Sequence, residues 1–435
     1  MPKLIAIAWL AAAVSASTAA AGESLPRADA SRLEQRIHEL GRFGANPEGG
    51  VSRVAFSEAD IAGRAYLQSL MQGAGLEVRV DTAGNIIGRR PGTDPTLPAI
   101  MTGSHADSVP KGGNYDGDVG VLGAIEVAEL LRAGGIATRH PLEFVVFTDE
   151  EGGTVGSQAM AGRLAATALD VVSHSGLTIR DGIRAVGGDP ARLPEARRAP
   201  GSVAAFLELH IEQGAILDES EIDIGVVEGI VGIRWWNVTV EGVANHAGTT
   251  PMNRRRDALV TAAGLALAVN RIASTTPGTQ VATVGRIQAE PGAPNVIPGR
   301  ATLSLEIRDL AAAKIDSVFR AIEAEGRRIA AARGTSLRFS EVDLALEPAP
   351  TDERLRRLVE AAAESLELSN RRLPSGAGHD AQEMAHVGPI AMIFVPSQGG
   401  ISHAPQEFTA PADIANGADV LLRTLLAIDR GVPGT

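Results

Sequence analysis

Two short, almost purely apolar runs are the feature that most limits what this chain can form. Residues 142–148 and 203–209 each hold one charged side chain among apolar ones, and neither run alternates apolar with polar residues. Runs of this kind are typical of strands that are covered on both faces. Helical patterns at residues 58–71 and 119–131 accompany them, so the sequence predicts an α/β domain built on a central sheet.

The pattern changes between residues 219 and 342. This region predicts a strand, a helix, two strands, a helix and a strand in that order, which is the split βαβ or ferredoxin-like arrangement. A helix, a strand and a helix of the first kind then follow. We therefore expect a first domain in two parts, residues 23–218 and 343–435, interrupted by an inserted domain at residues 219–342.

The first 22 residues have the organisation of a secretory signal peptide. Lys3 precedes an uninterrupted apolar run at residues 4–14, and small residues follow up to Ala21. The run is shorter than the about 20 residues that a membrane-spanning helix needs, and no later stretch is predicted to span a membrane. We expect a mature chain that is periplasmic or secreted and has no membrane partner.

An excess of acidic over basic residues limits the possible partners. The chain has 40 lysines and arginines against 52 aspartates and glutamates, so its formal net charge is −12. Such a chain is a poor candidate for binding nucleic acid or anionic membranes, and we expect neither. It has no cysteine, which excludes disulfides, thiol nucleophiles and cysteine-ligated zinc. Any metal must therefore bind to histidines and carboxylates.

Five of the nine histidines lie in glycine-rich or acidic segments, mostly where a predicted strand ends. Three of these histidines lie in residues 104–107, which further acids follow, in residues 208–214 and in residues 402–405. Residues 147–153 form a fourth candidate segment, which has three successive acids and no histidine. Taken one at a time, each has an ordinary structural explanation, such as a capping hydrogen bond or a surface turn. The other four histidines lie in plain helical or loop sequence and are predicted to be structural or on the surface: His38, His140, His174 and His386.

Together these segments predict a metal site. Ligands of open α/β sheets bind beyond the carboxyl ends of the strands, which is where the segments lie. Three successive acids at residues 149–151 would raise one another's pKa unless a cation lay among them. Three imidazoles and at least two carboxylates are enough for two zinc ions that share a bridging carboxylate. Asp107, two residues after His105, is placed to accept the proton of the second ring nitrogen and so orient that ring.

Seven motifs stand in the chain in a recognisable order: GSHADSVPKGGNYDGDVG, TDEEGG, HIEQG, NHAGTTPM, NVIPG, EIRD and SGAGHDA. In this the chain resembles the dinuclear metal amidohydrolases that include N-carbamoyl-L-amino-acid hydrolase, allantoate amidohydrolase and β-ureidopropionase. That family is related to the di-zinc aminoacylases and exopeptidases. The resemblance covers nearly all of the chain after the predicted signal segment.

The resemblance implies two divalent metal ions per subunit, with Zn²⁺ preferred and Mn²⁺ or Co²⁺ as alternatives. It implies that His105 and His210 bind one metal each and that Asp116 bridges the two metals. Glu151 and His403 would complete the set of ligands.

The resemblance also implies two catalytic residues. Glu150, free of metal, would be the general base that takes a proton during attack and passes it to the departing nitrogen. His246, in the predicted insert, would reach the active site of a neighbouring subunit and stabilise the tetrahedral oxyanion. A helix-capping role is an equally good explanation of its local sequence. The insert would thus act as a lid and join a homodimer.

The implied substrate is a small molecule with a carboxylate. Arg308 carries a guanidinium suited to bidentate binding of that group, although a strand arginine is usually a solvated surface residue. His210 stands where the peptidase-like relatives usually have a carboxylate, which favours a ureido or carbamoyl substrate over a peptide. The other implied substrate contacts are Gln213, Asn295, Gly376, Ala377 and His379.

These features predict a metal-dependent amidohydrolase that cleaves a linear C–N bond of an N-carbamoyl-L-amino acid. Hydrolysis of allantoate or another ureido acid is one alternative, and an aminoacylase or dipeptidase on the same scaffold is another. The alternative outside enzymes is a periplasmic module that binds a ureido acid without hydrolysing it. It is disfavoured because burying this many carboxylates without a cation would cost several kcal/mol each.

Overall fold

A computed structural model describes residues 25–342 and 346–431, so the predicted signal segment lies outside the described residues. The described chain forms a nine-stranded sheet, a four-stranded sheet and a two-stranded ribbon. The strands are β1 (Glu77–Val80), β2 (Ile86–Arg90), β3 (Ala99–His105), β4 (Leu142–Phe147), β5 (Val203–Ile211), β6 (Ile224–Ile230), β7 (Gly232–Glu241), β8 (Asn245–His246), β9 (Val281–Glu290), β10 (Val296–Ile297), β11 (Arg300–Asp309), β12 (Ser336–Glu341), β13 (Ala349–Pro350), β14 (Asn370–Ser375) and β15 (Ile390–Val395). The helices are α1 (Ala30–Leu40), α2 (Glu58–Gly73), α3 (Asp118–Ala133), α4 (Val155–Ala161), α5 (Ile179–Ala185), α6 (Ile216–Ser220), α7 (Ala258–Thr275), α8 (Ala312–Ala332), α9 (Glu353–Glu364), α10 (Asp380–Met384) and α11 (Pro411–Asp429).

The nine-stranded sheet contains the apolar runs that predicted it. Its strands lie in the order β1-β2-β4-β3-β5-β15-β6-β13, and β14 pairs with β6. The central strands β4, β3, β5 and β15 run parallel and are almost wholly buried. Antiparallel strands flank them, so the sheet is mixed. The predicted α/β fold with a central sheet is confirmed.

Helices cover both faces of this sheet. On one face α1, α3, α9 and α11 pack over it and bury a large apolar core. On the other face α4 and α10 contribute Met160 and Met384, which pack near Phe147 and Phe206. Because helices cover both faces, the side chains on either face of the central strands are buried, which explains their continuous apolar sequence.

The chain leaves the large sheet later than residue 219, the predicted start of the insert. β6 pairs with β15 and β14, so the large sheet continues to Ile230. β6 contains two glycines and a glutamate, so its sequence does not form a continuous apolar run. A β-carbon at Gly225 would approach side-chain atoms of both Leu373 and Phe394 to 2.8 Å, so close packing of the neighbouring strands requires glycine there. The boundary is therefore set by tertiary packing, which the local pattern does not reveal.

The four-stranded sheet, with its two helices, forms a unit at residues 232–341 that we call the small unit. Its strands are antiparallel throughout and lie in the order β12-β7-β11-β9. Along the chain they occur with α7 and α8 in the order β7, α7, β9, β11, α8 and β12. Trp236 of β7 stacks on Phe319 of α8 with 4.2 Å between ring centroids. The alternate residues of the strands thus form a core with both helices on one face of the sheet.

Helix α7 is long and apolar enough, by length and composition alone, to cross a membrane. This differs from the expectation that no segment after the N-terminus would qualify. In the structure its Leu265 and Val269 pack into the core of the small unit with Leu303 and Ile322. The apolar sequence of one side of this helix is therefore explained by burial against the small sheet.

The parallel strands bring the predicted site segments to one edge of the large sheet. β3 ends at His105, which pairs with Phe147 at the end of β4, and the neighbouring β5 ends at Ile211. Gly117 caps α3 with a φ of 68°. A β-carbon there would come within 2.6 Å of atoms of the His105 ring, so only glycine allows the loop to pass so close to this histidine.

One fully buried arginine ties the segments near this edge together. Arg53 is 1% exposed. Its guanidinium donates hydrogen bonds to the carbonyl oxygens of Ala106, at 2.6 Å, and Leu40, at 2.9 Å. It also forms an ion pair with Asp118, the first residue of α3. Arg53 thus joins the end of α1 and the start of α3 to the chain that follows β3.

Replacing Arg53 by methionine should lower the free energy of unfolding by about 3–5 kcal/mol, because it leaves the buried Asp118 carboxylate without its cation. Urea denaturation followed by circular dichroism measures this change. Arg320→Met, at an exposed position of α8, is the matched control and should stay within about 0.5 kcal/mol of the wild type. Equal stability of the two variants would contradict the role given to Arg53.

Candidate metal centre

The candidate centre is built around the carboxylate of Asp116. Its Oδ1 lies 3.1 Å from Nε2 of His210 and 3.6 Å from Nε2 of His105. Its Oδ2 lies 3.1 Å from Nε2 of His403, and that nitrogen is 3.6 Å from Oε1 of Glu151. The structure therefore brings all five residues of the expected ligand set together, although they are far apart in the sequence.

The possible ligand atoms form two groups that share Asp116. Atoms of His105, Asp116 and His210 lie within 4.8 Å of one another, and so do atoms of Asp116, Glu151 and His403. This grouping differs from the expectation that His105 and His210 serve one metal each. The two rings lie on the same side of Asp116 because β3 and β5 are neighbouring parallel strands that end side by side.

The residues fit divalent cations of the zinc type. Imidazole nitrogens and carboxylate oxygens are the ligands that such ions use where cysteine is missing. Nδ1 of His210 lies 2.9 Å from the carbonyl oxygen of Ile211 and donates its proton there. Nε2 of His210 is buried and makes no hydrogen bond with any described residue. Its lone pair is therefore available on the side of Asp116, as a metal ligand requires.

Asp107 supports the centre in a different way from the one predicted. Nδ1 of His105 donates to the backbone carbonyl of Asp107 at 3.0 Å, whereas the Asp107 carboxylate is 3.9 Å away. That carboxylate instead accepts hydrogen bonds from the backbone N–H groups of Glu150 and Glu151, both at 3.2 Å. The prediction that the Asp107 side chain orients the His105 ring is wrong. The side chain holds the turn after the neighbouring strand β4, because β3 and β4 end next to each other.

The charges of the centre shift one another's pKa. Burial raises the pKa of Glu150 well above its usual range and that of Glu151 to about 7. A hydrogen bond to Asp116 raises the pKa of His403 to about 9. Burial alone would raise the pKa of Asp116, but the three imidazoles that approach its carboxylate hold it well below the usual range. Without a cation Glu150 and His403 retain protons near neutral pH, and a cation would displace them.

Glu407 is a supporting residue that the sequence analysis missed. Its Oε1 accepts hydrogen bonds from the backbone N–H groups of Tyr115 and Asp116, at 2.8 and 3.0 Å. Its Oε2 accepts one from the Ser402 hydroxyl at 2.8 Å and one from the backbone N–H of His403 at 3.2 Å. One buried carboxylate thus joins the two loops that carry Asp116 and His403. The only signal for it in the sequence is an acid four residues after His403.

A second layer of buried polar groups lies behind the centre and was also missed. Glu208 accepts hydrogen bonds from the Ser104 hydroxyl, at 2.7 Å, and from the backbone N–H of Ala381, at 2.9 Å. Burial raises its pKa. One of its oxygens lies within 4.8 Å of ring nitrogens of His210 and His379. The segment 208–214 was selected for His210, and no local feature of the sequence marked Glu208 itself, which stands inside an apolar strand.

A cleft of about 340 Å³ opens over the centre, between the large sheet and the small unit. Gly376 accepts a hydrogen bond on its carbonyl oxygen from Nη1 of Arg308 at 2.7 Å, and this bond crosses from the small unit to the loop after β14. The expected substrate residues that line the cleft are Gln213, Arg308, Ala377 and His379.

Two of these residues are more restricted than the sequence suggested. The amide nitrogen of Gln213 donates to Oδ2 of Asp116 at 2.7 Å, so its side chain lies against the ligand atoms. His379 is 1% exposed, and its Nε2 lies 2.8 Å from the Ser375 hydroxyl. Burial and the neighbouring His210 lower the pKa of His379 well below its usual range. A neutral His379 is therefore expected.

His246 and Asn295 lie outside the cleft. His246 belongs to the exposed strand β8, which pairs with β10, and the exposed Asn295 directly precedes β10. Nδ1 of His246 accepts hydrogen bonds from the backbone N–H groups of Gly248 and Thr249, at 3.0 and 3.2 Å. Its proton is therefore on Nε2, from which it can be donated outward. The chain by itself does not bring His246 to its own metal centre.

Histidines and carboxylates grouped at the ends of parallel strands indicate a protein of the metallohydrolase class. Comparison with known proteins gives the family: the chain belongs to Peptidase family M20/M25/M40, whose sequence model matches residues 101–427. Over 405 residues it is 42% identical to the N-carbamoyl-L-amino acid amidohydrolase of Geobacillus stearothermophilus, covering 92% of this chain and 98% of that relative. Over 409 residues it is 38% identical to a ureidoglycolate hydrolase of Arabidopsis thaliana, covering 91% and 86%.

A solved structure gives the same result. A hydantoinase/carbamoylase family amidase from Burkholderia multivorans superposes with a TM-score of 0.86 at 39% identity, covering 92% of this chain and 98% of that one. The family that the seven motifs predicted is confirmed.

Replacing Glu407 by glutamine should weaken metal binding by about 10- to 100-fold, because an amide NH₂ would face backbone N–H groups that now have an acceptor. The measurement is the number of zinc ions retained after dialysis against a zinc buffer, by elemental analysis. We expect fewer ions per chain in the variant, with unchanged circular dichroism. Glu364→Gln, at an exposed position of α9, is the control. Wild-type zinc content in Glu407→Gln would refute the role of this carboxylate.

Proposed function

We propose that this chain is a metal-dependent amidohydrolase that cleaves the linear C–N bond of an N-carbamoyl-L-amino acid, giving the free amino acid, CO₂ and ammonia. The observation that carries the proposal is the pair of ligand groups that share Asp116. Glu150 lies beside them, with its Oε2 3.8 Å from Nε2 of His105. A shared carboxylate with donors on both sides suits two cations, and a free acid next to them suits proton transfer.

The two groups of ligand atoms would hold two divalent cations, Zn²⁺ by preference and Mn²⁺ or Co²⁺ as alternatives. Cations bound there would supply Lewis-acid chemistry, polarising a carbonyl and lowering the pKa of the attacking water. His105, Asp116 and His210 would hold one cation, and Asp116, Glu151 and His403 would hold the other.

Glu150 carries the proton in this proposal. Its backbone N–H is held by the Asp107 carboxylate at 3.2 Å, which fixes the turn that presents it to the cleft. Its side chain lines the cleft beside the possible ligand atoms, where a bound substrate would lie. It would take the proton of the attacking water and pass it to the departing nitrogen, a step typically worth about 10²- to 10⁴-fold in rate.

Residues around the cleft would bind the rest of the substrate. Arg308 would bind the carboxylate through the guanidinium hydrogens that its bonds to Glu306 and Gly376 leave free. Gln213 and His379, beside the ligand atoms, would contact the ureido group, and the backbone near Ala377 would close the site. Allantoate or another ureido acid is the second candidate, since the same centre and arginine suit any ureido carboxylate.

We further propose a homodimer joined through the small unit, which would act as an inserted split βαβ lid and dimerisation domain. β9 stands at one end of the small sheet in the described chain, with Val281 and Ile287 exposed on it. Leu267 of α7 is 75% exposed. A second copy would cover these apolar side chains. His246 and Asn295 on the exposed ribbon would then reach the centre of the other copy, where the Nε2–H of His246 would donate to the oxyanion.

Export of the chain to the periplasm or medium is proposed from its first 22 residues alone. Lys3 and the apolar run at residues 4–14 support it. N-terminal sequencing of the protein from fractionated cells tests it, and an unprocessed N-terminus confined to the cytoplasmic fraction would count against it.

Purified protein supplied with Zn²⁺, Mn²⁺ or Co²⁺ should hydrolyse N-carbamoyl-L-amino acids faster than N-acetyl amino acids, dipeptides or allantoate. Glu150→Gln should lower kcat at least about 100-fold without changing the metal content, since it removes only the proton carrier. Ammonia release and elemental analysis measure the two quantities. Turnover that survives removal of all metal, or a fully active Glu150→Gln variant, would overturn the proposed reaction. Faster turnover of acetylated substrates would show an aminoacylase, and tight binding without turnover would show a binding module.

The dimer is tested by mixing two inactive variants. A His246→Ala subunit keeps its own Glu150, and a Glu150→Gln subunit keeps His246, so a mixed dimer contains one complete site. Random pairing makes half of the dimers mixed, which should restore about a quarter of the wild-type activity per subunit. Each variant alone is the control. Activity in the mixture no higher than the average of the separate variants, with subunit exchange confirmed by mass, would exclude a shared site.

A further inference from the structure

The face of the small sheet that carries no helix of the small unit forms one wall of the cleft. Along β7 and β11 alternate residues point to opposite faces, and Trp236 and Leu305 belong to the core beneath α7 and α8. The residues between them point the other way. At the end of the strands nearest the large sheet, Trp235 lies directly opposite Glu306, and Ile233 lies opposite Arg308.

Glu306 holds the two larger side chains of this wall. Its Oε2 accepts a hydrogen bond from the indole N–H of Trp235 at 2.6 Å, and its Oε1 accepts one from Nε of Arg308 at 2.7 Å. The indole and the guanidinium therefore stand side by side in a fixed orientation. Nη1 of Arg308 is bound to Gly376, while Nη2 makes no hydrogen bond with the part of the chain that the structure describes.

Beside this arginine the wall is apolar. Ile233, Trp235 and Leu346 all line the cleft that contains His105 and Asp116. Leu346 is fixed to Ile233 by two backbone hydrogen bonds, of 2.9 and 3.0 Å. Ile233 is buried, and the other two side chains are half-buried. The cleft thus offers metal-binding groups on its floor, a guanidinium at its side and an apolar strip next to that guanidinium.

We infer that the strip formed by Ile233, Trp235 and Leu346 is a pocket for an apolar substrate side chain, with Trp235 as its specificity-determining residue. The inference rests on the proposed function and names its substrate class. An N-carbamoyl-L-amino acid carries its carboxylate and its side chain on the same carbon atom, so a carboxylate on Arg308 places the side chain against a neighbouring wall. An aliphatic or aromatic group gains contact there. A charged group, such as that of N-carbamoyl-L-aspartate, or the second ureido group of allantoate, would lose water without gaining a partner.

The test compares kcat/KM for N-carbamoyl-L-leucine with kcat/KM for N-carbamoylglycine. In the wild type this ratio should be about 100, and kcat/KM for N-carbamoyl-L-aspartate should fall below that for the leucine substrate by a similar factor. Trp235→Ala should lower the leucine-to-glycine ratio about tenfold. Calorimetric titration of the Glu150→Gln protein with both substrates measures the same preference as binding, without turnover.

The variant Trp235→Phe distinguishes direct contact of Trp235 with the substrate side chain from an indirect role in orienting Arg308 through Glu306. Phenylalanine keeps an apolar ring but cannot donate to Glu306, so the ratio should stay within about threefold of the wild type. If Trp235 acted only by orienting Arg308 through Glu306, both variants would lower kcat/KM for the two substrates equally and leave the ratio unchanged, which would overturn the inference. Leu346→Asp, in the same strip, should also lower the ratio and serves if Trp235→Ala does not fold.

Failure of the proposed pocket can be distinguished from failure of the proposed reaction. If the metal-loaded wild type hydrolyses no N-carbamoyl amino acid, the proposed function fails. If it hydrolyses them with a ratio near 1, or prefers aspartate or allantoate, the proposed function stands as a ureido hydrolase and the apolar pocket is refuted.

Discussion

The centre depends on the position of the Asp116 carboxylate, which lies between two groups of possible metal ligands and belongs to both. Two imidazoles approach one of its oxygens, and a third approaches the other. It keeps this place because the loop that carries it is held on two sides, by Glu407 through backbone hydrogen bonds and by Arg53 through the start of α3. Glu407 and Arg53 are both buried and do not line the cleft. They thus hold the Asp116 carboxylate in position for a cation.

The two sheets present different side chains to the cleft because helices cover them differently. The large sheet is covered on both faces, so its polar groups concentrate at the carboxyl ends of its parallel strands, where the possible metal ligands lie. The small sheet has its own helices on one face only, which leaves the other face free to present Trp235 and Arg308 to the cleft, with Glu306 hydrogen-bonded to both. One unit thus provides the possible metal ligands, and the other provides an indole and a guanidinium that line the same cleft.

The sequence predicted the α/β fold because that fold leaves strong local signals, and the five residues of the centre were predicted through the resemblance of the motifs to a known family. Buried parallel strands produce continuous apolar runs, and acids or histidines at their ends are conspicuous. The errors concern contacts that no local pattern specifies. Which ring shares a side with His105, which atom of Asp107 meets that ring, and where the large sheet ends all depend on neighbouring strands. Glu407 was missed because two of its partners, Tyr115 and Asp116, lie about 290 residues away in the chain.

The sequence by itself determined which residues are available for chemistry: histidines and carboxylates without cysteine, placed where buried strands stop, in a family that comparison confirms. Only the tertiary structure decided how they are grouped and what surrounds them. Strand order put His105 and His210 on one side of Asp116, and strand alternation turned Trp235 to the cleft while Trp236 entered the core. The reason is that spacing along a chain sets the face of a side chain, whereas its partners are set by strands that come from distant parts of the sequence.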